Sequence, residues 1–369
     1  MELVTLSKTY GDFYAPTYAV RLGRQDLMRD LVVAVSQVEV DMKLGGASHF
    51  AFTVTDCYNQ KLEAFQTGRG ANLLKLLTFG AEVEICMGYG DARSTPTAVR
   101  GLITELSTNF PESGSPELSV GGFDHGHALT LGQRSRTWKD ALDSDAAHDI
   151  ASFNNLNETI ETTRGPRKQI EQNQESDWSF LQKLAERNHF ELYVDERNNL
   201  HFGKPNDKGG AVIRLVYGEG LLSFKPEANL YGQISKVELY GWDKNTKKAF
   251  IGVARAGEES GRLSGKSGGQ YLNSFVRDPT KRPTLLLRQP VFSQAEADQR
   301  AKAALNERAK DFLTGDGESI GLPEVRPDRN VELAGLGVPF SKTYYIQEAT
   351  HKIDGNGYRT RFKVKEPGL

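Results

Sequence analysis

Short runs of alternating apolar and polar residues recur through the first 125 positions, and turn residues end each run. A period of two sends successive side chains to opposite faces, so each run reads as a half-buried β-strand. Tyr18, Val20 and Leu22 alternate after Pro16. Valines dominate residues 31–41, whose second half alternates through Val35, Val38 and Val40. Phe50, Phe52 and Val54 share one face, and Val83, Ile85 and Met87 share another, opposite Glu84 and Cys86. Further runs cover 102–110 and 118–123. Many short strands with few helical stretches point to a closed barrel or a sandwich. A short helix fits residues 70–77.

The period then changes. Trp138, Leu142, Ala146, Ile150 and Phe153 recur near every fourth residue, which is a helical stripe. A second helix starts after Ser176, a good N-cap, with Asp177 suited to the positive helix end. Its apolar face is Trp178, Leu181 and Ala185. A hairpin over 190–202 follows, with Trp178 expected to anchor the helix against it. Trp138 is expected to do the same for the first helix.

From about 226 the β pattern resumes through Val237 and Leu239, then Phe250, Ile251 and Val253. Residues 254–270 hold five glycines and three serines, the composition of a flexible loop. Residues 294–313 read as a helix with alanines on one side. The chain closes with a hairpin turned by Asp354, Gly355, Asn356 and Gly357. No fixed-period repeat is visible, which excludes solenoids and propellers.

Charge excludes other classes. The 46 Lys and Arg against 48 Asp and Glu leave no basic excess for a nucleic-acid binder. No apolar run approaches the ~20 residues that cross a bilayer. The first residues lack the pattern of a signal peptide, so synthesis in the cytoplasm is expected. At 369 residues the chain can bury a core without a disulfide or metal staple. Cys57 and Cys86 are too few for a disulfide framework and are expected as free thiols.

Few residues suggest chemistry. Residues 261–267 approximate a phosphate loop, but three residues rather than four separate Gly261 and Gly265. Gly268 and Gly269 then disfavour the helix such a loop requires. His125 and His127 fall on one face if they lie on a strand, and with Asp124 they could begin a metal site. No nucleophile elbow or zinc-protease motif occurs. No catalytic, cofactor-binding or metal residue is therefore assigned.

Several stretches, in order, carry a resemblance. The run 176–187, with 190–194 and 200–202, resembles the tail hub family of contractile injection machines, the phage late control protein D family. Residues 83–89, 99–104 and 118–124 are similar to that family's first barrel. Residues 237–243 and 250–254 look like its second barrel, and 340–346 with His351 and 362–364 like its closing hairpin.

The resemblance implies a mainly β (α+β) fold: two tail-tube-like antiparallel β-barrel domains with an inserted α/β domain. The implied bounds are 1–124, 125–225 and 226–369. It implies a homotrimer in which three chains present six barrels, joining a sixfold inner tube protein to a threefold spike protein. Other baseplate proteins and the tape measure protein are further implied partners. It implies no enzyme, no cofactor, no nucleic-acid binding and no membrane insertion. The chain ends a few residues beyond its last expected strand, so the spike is expected as a separate polypeptide. Assembly into a phage tail or a released injection particle follows. Two alternatives stay open: a metal-dependent enzyme using His125 and His127, and a β-rich adhesin or carbohydrate-binding protein with an exposed aromatic platform.

Overall fold

Thirteen strands join in one sheet that winds through two barrels. The structure is a computed structural model that describes residues 2–243, 247–261, 265–291 and 293–369. The fold is mainly β, as expected, with two tail-tube-like barrels and an α/β insert.

The first barrel runs Pro16–Leu22, Glu82–Tyr89, Thr97–Asn109, Glu117–Asp124, His49–Thr55 and Ala34–Lys43 in spatial order. All these pairs are antiparallel. Their alternation is visible in burial: Phe50, Phe52 and Val54 are buried while His49, Ala51, Thr53 and Thr55 are only partly so. The inward side chains form one core with Val20, Val38, Ile85 and Ile103. The ends of the sheet meet where Tyr18 Oη donates to the Val35 carbonyl at 2.5 Å.

The second barrel closes completely. Its six strands are Lys342–Asp354, Asn330–Ala334, Ala211–Tyr217, Gly220–Ala228, Leu313–Ile320 and Gly357–Glu366, and the last pairs back onto the first. Lys342–Asp354 also pairs with Ala34–Lys43, setting His351 opposite Val40, and this ladder welds the barrels together. Two features differ from expectation. The second barrel begins at Ala211 rather than at 226. Strands lie on both sides of that boundary, so no change of period marks it. It is also not purely antiparallel, because Ala211–Tyr217 runs parallel to Asn330–Ala334. More than a hundred residues separate those strands, ample for a crossover.

Between the barrels lies the insert. Here Trp138 sits on a strand, Arg134–Ala141, not on the helix, which begins at Asp143. Its ring stacks on Phe180 at 5.4 Å and its Nε1 donates to Asp149 at 2.7 Å. Spacing near four was therefore satisfied by a strand leading into a helix. The second helix, Asp177–Asn188, starts as expected, with Ser176 Oγ accepting from the Ser179 N–H. The hairpin follows as Glu191–Val194 and Asn199–Gly203.

The run expected in the second barrel, 237–254, forms a satellite instead. Lys236–Asp243 pairs with Lys248–Arg255 and Thr284–Arg288, and Gln294–Lys310 covers one face. A barrel strand and a helix-backed strand share the same alternation, so sequence could not separate them. The helix ends at Lys310, and Leu313 already belongs to the barrel.

Both ends of the loop expected over 254–270 are built into the fold. Ser267 is fully buried and caps a helix, Gly268–Phe275, in a reciprocal box with Gln270. Gly268 and Gly269 open that helix because a Cβ there would press on Gln233 and on the Ile234 carbonyl. Lys266 exchanges backbone hydrogen bonds with Leu369 at 2.9 and 3.0 Å. Residues 262–264 lie outside the described residues.

Candidate functional site

The side chains with the most demanding surroundings lie where the modules meet. Arg326 is buried on the loop before the Asn330–Ala334 strand. Its Nε donates to the Pro323 carbonyl at 3.0 Å, one terminal nitrogen to Glu196 of the insert at 2.9 Å, and the other to the Thr97 carbonyl of the first barrel at 2.5 Å. One rigid guanidinium fork thus ties three modules. His351 lies beside it, wholly buried. Its Nε2–H donates to the Val325 carbonyl at 2.9 Å, while Nδ1 faces Tyr358 Oη at 2.8 Å. Burial and the neighbouring Arg326 charge push its pKa down to about 3. It is a neutral structural histidine.

A second polar network ties the insert to the satellite. Asp143, buried at the start of its helix, pairs with Arg187 and lies 3.3 Å from Arg167. Arg167 reaches Glu296 at 3.0 Å, and Glu296 pairs with Arg300 at 2.9 Å. The insert and the satellite also border a cleft of about 520 Å³, lined by Ala185 and Leu192 of the one and Leu287 and Ala304 of the other. His189 lines it in a left-handed conformation that ends the insert helix. Burial first, then Lys310, lowers its pKa to about 4. These groups hold modules in fixed relation.

The histidines singled out in the sequence do not converge. They lie on a 3-10 helix, His125–Thr130, not a strand. Three residues per turn put positions two apart on different sides of the axis. His125 Nε2 is 3.9 Å from Glu82, and burial lowers its pKa. His127 instead stacks on Phe123 at 4.9 Å. Asp124 caps this helix, accepting from Gly126 N at 2.8 Å and Ser48 N at 2.7 Å. Among the described residues no group of three or more His, Cys, Asp and Glu gathers as a metal site. Both cysteines are buried and unlinked. Trp178 donates to the Gly45 carbonyl at 3.3 Å, so it anchors the insert to the first barrel as well as to its own hairpin core.

What remains is surface. The two-residue strand Gln25–Asp26 ends the thirteen-stranded sheet, pairing only with Arg21 and Leu22, and no strand pairs with the outer side of residues 16–19 among the described residues. Edges of this kind invite pairing with another chain. The satellite sheet turns a second uncovered surface outward, which alternation in 236–242 could have flagged. No described helix is long and apolar enough to cross a membrane.

The family model described as the Alg8 N-terminal domain matches residues 19–355. Among curated proteins, none matches the chain. The solved structure of the prophage MuSo2 43 kDa tail protein from Shewanella oneidensis is similar over 96% of this chain and 99% of its own, with TM-score 0.71 and 12% identity. The tail protein from Neisseria meningitidis MC58 is similar over 96% and 97%, with TM-score 0.69 and 15% identity. The E. coli c3393 protein is a type VI secretion component with structural similarity to the T4 tail proteins gp27 and gp5. It is similar over 94% of this chain and 76% of its own, with TM-score 0.57 and 12% identity. At these identities the likeness shows a shared fold.

Proposed function

The chain belongs to the family of the Alg8 N-terminal domain; from its fold we propose that it is a structural hub of a contractile injection machine, kin to the late control protein D hubs. The observation that carries this reading is the end-to-end match: barrels, insert and satellite together superpose on a phage tail protein over 96% of one chain and 99% of the other. Function in such a part is geometry. Two joined barrels give each chain two tube-like positions, and three chains give the six that a sixfold tube requires. Residues 16–19, which no described strand pairs on their outer side, suit contact between chains.

In this role the chain is a homotrimeric adaptor, not a catalyst. One side meets the inner tube protein, the other a spike protein. Further baseplate proteins and the tape measure protein are its neighbours in the particle. The polar networks at Arg326 and Asp143 support the reading, because an adaptor must transmit load without changing shape.

Light scattering of the purified chain, alone and with candidate spike and tube proteins, tests it. A threefold mass, and binding to both proteins, is the expected result. A monomer at every concentration that binds neither protein overturns the proposal.

A further inference from the structure

We propose that the outward face of the satellite sheet docks an acidic protein partner within the assembled particle; this rests on the hub reading above. On Lys236–Asp243 burial alternates, with Val237, Leu239 and Gly241 buried and Tyr240 and Trp242 exposed. The buried set packs on the Gln294–Lys310 helix. The other set faces outward, with Tyr240 and Trp242 exposed. Register places Ile251 across from Tyr240, and Leu286 across from Glu238. Exposure is 41% for Tyr240, 55% for Trp242, 46% for Ile251 and 62% for Leu286. Four large apolar residues on one pleated face form a patch, whereas isolated ones need no explanation.

The charges on this face say what covers it. Lys236, Arg255 and Arg288 occupy the same face by register, against the single acid Glu238. Glu238 is already engaged by Lys236 and by Tyr240 Oη at 2.7 Å. Arg255 and Arg288 form no salt bridge among the described residues. The face therefore carries an apolar patch and a net positive charge. Tryptophan, tyrosine and arginine are the residues that most often carry binding energy between proteins. A matching surface is apolar and rimmed by Asp or Glu. Two copies meeting face to face about a twofold axis would oppose arginine to arginine, so self-pairing of this face is disfavoured. A sugar would use the aromatic rings but would leave Ile251 and Leu286 without purpose.

Hydroxyl-radical footprinting of the purified particle against the isolated chain, with carbodiimide cross-linking of the particle, tests the inference. Oxidation of Trp242, Tyr240 and Leu286 is expected to slow at least fivefold in the particle. Lys236 is expected to link to an Asp or Glu of a different polypeptide. A Leu286→Glu chain is expected to keep its circular dichroism and solution mass but lose that link. Unchanged oxidation rates overturn the inference, as do links only to other copies of this chain. Glycan-array binding that Trp242→Ala abolishes, with no protection in the particle, overturns it in favour of a sugar. Absence of the chain from every purified particle sinks the hub reading itself. Presence of the chain with this face fully oxidised sinks only the docking surface.

Discussion

Arg326 donates to the Pro323 carbonyl, to Glu196 and to the Thr97 carbonyl, groups on three different modules. Removing it strands buried acceptors and one carboxylate, so Arg326→Met is expected to cost about 3 kcal/mol, read as the shift in urea midpoint. Nothing in the sequence marked this arginine, because its value lies in a partner 229 positions away that only the fold brings to it. His351 is similar: the sequence placed it in the closing hairpin but not in the dark. Its folded pKa of about 3, and that of His189 at about 4, lie below the ordinary histidine value of 6.5. Between pH 6.5 and these values the unfolded chain binds protons that the folded chain refuses, so their contribution is present above 6.5 and is lost as pH falls. Buried Asp124, raised to about 6, works the other way, since its folded form holds a proton from pH 6 down to the ordinary carboxylate range. Each such group contributes about 1.4 kcal/mol per pH unit within its own window, the two histidines adding to the loss of stability below pH 6 and Asp124 opposing it. His351→Gln removes one of the two and is expected to flatten that slope, measured by urea melts at pH 6, 5 and 4. An unchanged slope would refute the assignment.

Elements were legible wherever one packing partner decided them. The Asp177–Asn188 helix, its Ser176 cap, the 191–203 hairpin and the closing hairpin all read directly from caps, periods and turn residues. Elements failed where close approach overrode propensity. Gly268 and Gly269 were read as helix-breaking, yet they begin a helix because no larger residue fits beside Gln233 and Ile234. The satellite shows the same rule. A Cβ on Gly252 would stand 2.1 Å from the Ala297 carbonyl, so the helix can lie on the sheet only because that position has no side chain. Gly252→Ala must push the helix backbone away and is expected to cost about 3 kcal/mol in chemical unfolding. Gly210→Ala, which meets open space, is expected to change stability by under about 0.5 kcal/mol. Equal effects from the two substitutions would show that the helix is not seated as described.

At the scale of the whole molecule, alternation left a barrel or a sandwich open and the pair of barrels came from the resemblance; their boundaries were not legible, because inserted modules are themselves built of strands. Ala228 pairs directly with Leu313, so everything between them hangs from one hairpin of the closed barrel. The barrel's ladder does not need the satellite. Replacing residues 230–311 with a two-residue Asn-Gly turn should therefore leave the barrel folded, since that dipeptide supplies the positive φ of a tight hairpin. The shortened chain gives up the Arg167–Glu296 and Lys310–Glu191 pairs and the Lys266 to Leu369 hydrogen bonds. A lower urea midpoint with strand-rich circular dichroism is the expected result. If three chains meet through their barrels, as the hub reading requires, the shortened chain keeps the mass of the full assembly. If it becomes a monomer while still folded, the satellite and not the barrel holds the copies together. The outward sheet face would then be an interface between copies, and the acidic partner would have no place to bind.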